Sequence, residues 1–139
     1  MNKRAAEPVV FALLGAAHIV EARLEAALQE VGLSLAKAGL LRVLADAGEP
    51  LSLSELAQHQ QCVRSNITQL VDRLEKDGLV RRRADPVDRR SVRAALTPAG
   101  ERAHAQATQA LADAQRAIVQ ELGAGQAANL KSALEVLRR

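Results

Sequence analysis

At 139 residues the chain has room for one domain with a modest core, and two ordinary domains are excluded. Apolar residues make up 48%, yet Phe11 is the only aromatic residue, so the core must come from Leu, Val, Ile and abundant Ala, a composition that favours packed helices. The single cysteine, Cys62, excludes an intrachain disulfide and a multi-cysteine zinc site, and His18, His59 and His104 fall at no metal-ligand spacing. No run of about 18 apolar residues offers a membrane span, and the N-terminus lacks the apolar segment of a secretory signal, so the expected location is cytoplasmic. Net charge is only +3, but between Arg81 and Arg93 six arginines face two aspartates. A basic segment that sharp is the footprint nucleic-acid binding leaves.

In chain order, residues 8–31 read as a long helix. Pro8 suits a first helical position, and Leu13, Ala17, Val20, Leu24, Leu28 and Val31 recur at helical spacing. Gly32 ends it. Ser34 is placed to cap a second helix over 35–47, closed by Gly48 and Pro50. Ser52 and Glu55 then form an S-x-x-E capping box at the start of a short helix, about 53–59. A further helix begins near Val63 or Arg64 and runs to Asp77, with Gly78 as its stop and Ile67, Leu70, Val71 and Leu74 as its apolar stripe.

Beyond Gly78 the period changes from helical to alternating. Residues 79–83 and 91–96 are strand-like, and 84–90 form a polar turn containing Pro86, which together predict a β-hairpin with an arginine-rich tip. Thr97-Pro98 gives an N-cap and a first-turn proline for a long helix over 98–122. Gly123 and Gly125 break it, and a last helix covers 126–138. The expected fold is mainly α with a small β-hairpin: a winged helix-turn-helix lobe over about 35–97, flanked by helices 8–31 and 98–138.

Helix, turn, helix and hairpin in that order point to DNA, because the major groove admits an α-helix. With the Ile67/Leu70/Val71/Leu74 stripe on the core, the outer face of helix 64–76 carries Arg64, Ser65, Asn66, Thr68, Gln69 and Arg73, with Lys76 at its far end. Arg pairs bidentately with guanine, and Asn or Gln with adenine. Such residues also occur on any solvated helix, so the face alone does not decide. The adjoining hairpin does: Arg81, Arg83, Arg89 and Arg90 flank or occupy its tip, arginine suits a narrow minor groove, and Asp88 is placed to hold the Arg90 guanidinium.

The runs Leu53-Ser54-Glu55-Leu56-Ala57, Arg64 to Val80, Asp85-Pro86-Val87-Asp88-Arg89-Arg90 and Leu96-Thr97-Pro98-Ala99-Gly100 closely resemble the MarR (multiple antibiotic resistance regulator) family of transcriptional regulators. D-x-x-D-R-R followed by L-T-x-x-G discriminates far better than a generic helix-turn-helix. The resemblance implies a homodimer, in which the first and the last two helices interlock, on a pseudo-palindromic double-stranded DNA operator, usually as a repressor. It implies that helix 64–76 reads the major groove and that Arg90, oriented by Asp88, enters the minor groove. It also implies a small aromatic or phenolic effector bound between the dimer helices and the DNA-binding lobe, and no other cofactor. Where relatives show Leu-Gly-Val-Ser, this chain has Gln60-Gln61-Cys62-Val63; the lost cap costs ~1 kcal/mol and leaves open which of Arg64 and Ser65 faces the bases.

Cys62 has two readings: a small half-buried turn residue, or a thiol activated at a helix start, making the protein redox-responsive. Phe11 and His18 on the first helix are the candidates for an effector pocket, the alternative for His18 being an ordinary structural role. His59 is expected at a solvent-facing helix end and His104 on the surface. The stripe Ala103, Ala107, Ala110, Leu111, Ala114, Ile118 and Leu122, with Leu130, Leu134 and Leu137, would leave apolar surface open in a monomer, which favours dimerisation. A winged-helix protein-interaction module remains an alternative on fold alone, though it calls for an acidic or apolar tip. An enzyme is rejected, because no nucleophile–base set, spaced carboxylate pair or phosphate loop is present.

Overall fold

The computed structural model describes residues 6–60 and 64–139, with the side chains of Arg64 and Ser65 set aside. Cys62 lies outside the described residues. The elements run α1 (Val9–Gln29), α2 (Leu35–Ala47), β1 (Leu51–Ser52), α3 (Leu53–Gln60), α4 (Arg64–Lys76), β2 (Val80–Ala84), β3 (Val92–Leu96), α5 (Pro98–Leu122) and α6 (Ala124–Leu137). Helix boundaries follow local chemistry. Ser34 Oγ accepts from Lys37 N at 3.1 Å, and Glu25 Oε1, reaching across from α1, accepts from Leu35 N at 2.9 Å, so two of the orphan donors at the start of α2 are satisfied. The capping box forms in both directions: Ser52 N donates to Glu55 Oε2 at 3.2 Å and Glu55 N to Ser52 Oγ at 3.1 Å. Pro8 stands one residue ahead of α1 as its N-cap.

Instead of a two-stranded hairpin, the sheet has three antiparallel strands in the order β1-β3-β2. Leu51 pairs with Ala94 and Ser52 with Arg93, while Val80 to Ala84 pair with Leu96 to Val92. A two-residue strand whose partner lies more than forty positions away has no periodicity of its own to reveal it, and the capping box reads as helix start alone.

The core gathers Leu28, Leu40, Leu41, Leu56, Ile67, Val71 and Leu74, with Val80 and Ala94 from the sheet and Ala103 and Ala107 from α5, in one cluster. The predicted stripe of α4 thus faces inward, Leu70 half-buried at its edge. By contrast, α6 buries no residue, and the buried positions of α5 lie in its first half. Along the first two-thirds of α1 the large side chains Val9, Val10, Phe11, Leu14 and Ile19 are exposed, Ile19 at 63%, and Val136 and Leu137 are exposed on α6. So much open apolar surface on elements far from the sheet marks an interaction face. No helix among the described residues is long and apolar enough to cross a membrane.

The winged lobe joins the long helix α5 at one tight junction. Gly78, at φ 75°, turns the chain out of α4, with Leu79 N bonded to Leu74 O and Gly78 N to Glu75 O, in the manner of a glycine helix stop. Thr97 then clasps that turn: its N donates to Leu79 O at 3.1 Å and its Oγ1 to Gly78 O at 2.6 Å, while Oγ1 also accepts from Gly100 N at 3.0 Å. A Cβ on Gly100 would fall 2.0 Å from the Leu79 carbonyl oxygen. The L-T-x-x-G motif is therefore a helix cap fused to a backbone crossing that only glycine permits. Gly100→Ala should lower stability by about 1–3 kcal/mol, although alanine ordinarily favours a helix. Urea denaturation measures this, and an unchanged or raised midpoint would contradict the close approach.

Candidate nucleic-acid interface

Helix α4 presents Asn66, Gln69, Arg73 and Lys76 as exposed side chains on the face opposite its buried stripe, with Thr68 half-buried. Arg64 belongs to the first turn of the same helix. Two acidic residues of α4 are occupied elsewhere. Asp72 hydrogen-bonds the Arg82 guanidinium, and Glu75 receives the Arg82 backbone N–H at 3.0 Å while its other oxygen lies 3.5 Å from the same guanidinium. Arg82 is thus a strap between α4 and β2. At the helix end, Lys37 Nζ pairs with Asp77 at 2.8 Å. Once these pairs form, the exposed side of α4 keeps amide and cationic donors, and among the described residues no carboxylate pairs with Arg73 or Lys76.

The six arginines of the basic segment divide by role. Arg82 straps the sheet to α4, and Arg93 Nε donates to Asp85 Oδ2 at 3.0 Å. Arg81, Arg83, Arg89 and Arg90 are exposed and form no ion pair among the described residues. Four uncompensated guanidinium groups on one hairpin create a positive potential that an anionic polymer would meet.

Asp85 organises the tip. It is buried at 8% exposure, and its Oδ1 accepts the backbone N–H of Val87 at 2.9 Å and of Asp88 at 3.5 Å. Its own N–H donates to Ser91 O, and Ser91 N donates to Asp88 O, so the loop is closed above it as an Asx-type turn. Asp88 acts differently from the expected guanidinium partner. Its Oδ1 accepts the backbone N–H of Arg90 at 3.0 Å, and among the described residues no ion pair joins it to the Arg90 side chain. Asp88 therefore shapes the backbone that carries Arg90 and leaves the guanidinium unneutralised.

Asp85 and Arg93 were not among the residues singled out from the sequence as contacting a ligand. Asp85-Pro86 is a turn-initiating dipeptide, which is a legible signal for the loop, whereas the Arg93 pairing depends on strand register. Phe11 and His18 lie on the exposed face of α1, with the imidazole 3.9 Å from Glu21. His59 is exposed as expected and His104 half-buried. A cleft of about 430 Å³ opens where the end of α1 meets α2 and α5, lined by Val31, Lys37, Asp77, Arg102 and Gln106 among others.

The hydrogen bond from Val87, then that from Arg93, holds the Asp85 carboxyl below its ordinary value of 3.8, against the opposing effect of burial. A carboxylate with a lowered folded-state pKa adds stability that is full above the ordinary value and is lost as pH falls through the folded one. Glu121, lowered by its bond with Arg23, acts in the same direction. Asp85→Asn should therefore flatten, without abolishing, the decline of stability at acid pH. Denaturation midpoints across a pH series check this, and an unaltered acid limb would remove Asp85 from the account.

A sequence model of the MarR family matches residues 31–91, from the start of the α2 region through the wing tip. An uncharacterised HTH-type transcriptional regulator of Bacillus subtilis (strain 168), YsmB, is 44% identical over 52 residues, covering 37% of this chain and 36% of that protein. The chain thus matches less than half the length of its curated relatives, at 36% and 46%. Among solved structures, the transcriptional repressor CouR bound to a 23-mer DNA duplex aligns with a TM-score of 0.86 at 29% identity, covering 96% of this chain and 94% of that one. CouR from Rhodococcus jostii RHA1 bound to p-coumaroyl-CoA aligns at 0.78 and 21% identity, covering 98% and 95%. The matched stretch carries the α3–α4 pair and the Asp85–Arg90 tip, so over residues 31–91 the chain is similar to the MarR family, and the three-stranded wing and flanking helices complete the fold seen in these solved structures.

Proposed function

We propose that this protein is a sequence-specific double-stranded DNA-binding transcriptional regulator, acting as a homodimeric repressor on a pseudo-palindromic operator. The observation that carries the reading is the presence, in one lobe, of four wing arginines that form no ion pair among the described residues and of the exposed Asn66, Gln69 and Arg73 of α4. In this arrangement α4 lies in the major groove, where Asn66 and Gln69 offer bidentate contacts to adenine and Arg73 to guanine. Arg90, with Arg89 beside it, enters the adjoining minor groove, and Arg81 and Arg83 contact phosphates. The DNA-bound state of CouR supports the same partner.

A second copy of the chain is the partner that fits the open apolar faces of α1 and α6, and two-fold symmetry would place two recognition helices about 34–36 Å apart on one DNA face. Phe11 and His18 lie on this face. Effector control is part of the proposal. The cleft between α1, α2 and α5 carries Arg102 beside the Lys37–Asp77 pair; Arg102 suits an anionic aromatic ligand, and CouR bound to p-coumaroyl-CoA supports a phenolic class. An effector there would act on the junction between the long helices and the winged lobe.

The test is a binding assay on a duplex that the protein itself selects from a random library, with an unrelated duplex of equal length as control. Arg90→Ala should weaken binding about tenfold or more while sedimentation still shows the dimer; wild-type affinity would sink the wing assignment. Gln69→Ala should alter base preference on reselection, whereas Arg81→Ala or Arg83→Ala should weaken both duplexes alike and reduce the salt slope. Equal loss on both duplexes for Gln69→Ala would remove it from base reading.

A further inference from the structure

A two-stranded hairpin projecting from a small lobe is free to swing about its base unless something below the tip holds it. Here the tip is bare: Val87 is 94% exposed, and residues 86 to 90 are all exposed. What holds the wing lies lower down: Arg82 straps β2 to α4, and Arg93 ties the tip loop to the segment that leads into α3. Arg93 is on the middle strand, opposite Arg83 of β2 and Ser52 of β1. Its Nε reaches Asp85 Oδ2 at 3.0 Å, and its Nη1 reaches the Pro50 carbonyl oxygen at 3.2 Å.

The two acceptors belong to different parts of the lobe. Asp85 is the buried carboxylate around which the tip loop folds. Pro50 immediately precedes β1, which leads through the Ser52/Glu55 capping box straight into α3. A planar guanidinium with donors in a fixed fork can hold two such acceptors at one angle, which the single flexible ammonium of lysine does less well. Strand pairing alone ties β1 to β3 over only two residues. The Arg93 fork therefore adds the side-chain constraint between the tip loop and the helix-turn-helix.

We propose that Arg93 is a positioning residue for DNA recognition: it sets the angle of the wing tip, and so of Arg89 and Arg90, against the α3–α4 unit without itself contacting DNA. The inference rests on the reading of the wing as a DNA contact. Arg93 is half-buried with its Nε and Nη1 donors committed, and its charge is balanced by Asp85. It contributes geometry where the other wing arginines contribute charge.

The discriminating experiment is a double-mutant cycle on the dimer, using the self-selected duplex and the unrelated one. Arg93→Gln should lower affinity for the selected duplex about tenfold, with the fold intact by circular dichroism. Its salt slope should fall at least as far as that of Arg90→Ala, because the Arg90 contact is lost in both. The double variant R90A/R93Q should then lose less affinity than the two single losses combined, since that contact is lost only once. Asp85→Asn keeps the acceptor for the loop N–H groups but breaks the charged pair, and should show the same non-additivity if Arg93→Gln folds poorly. Wild-type binding by Arg93→Gln and Asp85→Asn overturns the proposal. So does an additive loss in the double variant with a further step in salt slope of about one, the mark of a direct phosphate contact by Arg93. Wild-type binding by Arg90→Ala would instead overturn the wing reading itself, whatever Arg93→Gln does.

Discussion

The contact between the start of α5 and the turn after α4 is the joint on which the geometry of the molecule depends. Thr97 uses one hydroxyl to cap its own helix and to hold the Gly78 carbonyl, and Gly100 admits the Leu79 backbone to a distance at which any Cβ would collide. Everything distal to α5 is oriented through this crossing and through the alanines that follow it, Ala103 and Ala107. Small residues here let a long helix lie close against the lobe. They also explain why so little aromatic mass is needed in the core. The cap of α2 is shared with α1 through Glu25, so both long helices meet the lobe at satisfied backbone groups, which resist sliding better than apolar contact alone.

Charge is distributed by a second rule, in which pairing near the body leaves the tip unpaired. Asp72, Glu75 and Asp85 neutralise the arginines that face inward, Arg82 and Arg93. Among the described residues the outward arginines form no ion pair with an acidic neighbour. A carboxylate is therefore present where it stiffens the scaffold and absent where it would compete with a phosphate. Asp88 fits the same rule, since it is spent on a backbone N–H. Asp88 thus acts on the shape of the loop.

The open faces of α1 and α6 and the cleft above Lys37 and Arg102 share a physical cause. A single chain of this size, with its core concentrated in the lobe, has too few inward positions to cover both long helices. The cleft lies where the covered and uncovered parts meet, so a ligand there would touch the elements that carry the lobe as well as those that a second copy would hold. This geometry makes coupling between the two regions mechanically direct.

Much of the architecture was legible locally because its signals are local. The Ser34 and Thr97 caps, the Ser52/Glu55 box, the glycine stops and the Ile67/Val71/Leu74 stripe each act over a few residues, and the structure places each as the pattern requires. The boundaries of α2 coincide with those read from the sequence, and the strands shift by about one residue, as end-fraying allows. What stayed hidden depends on pairs distant in sequence. The β1 strand is two residues long and exists only because β3 lies beside it. The division of six neighbouring arginines into straps and free cations depends on which strand face each occupies and on what stands opposite. The residue pattern alone therefore determined the order of elements, the buried face of α4 and the concentration of positive charge in the wing, since periodicity, capping and charge count are properties of neighbouring residues. Only the tertiary structure decided that Arg82 and Arg93 are ion-paired, that Asp85 carries the loop and that Arg90 has no ion-pair partner among the described residues, because ion pairing is settled by distances across the fold.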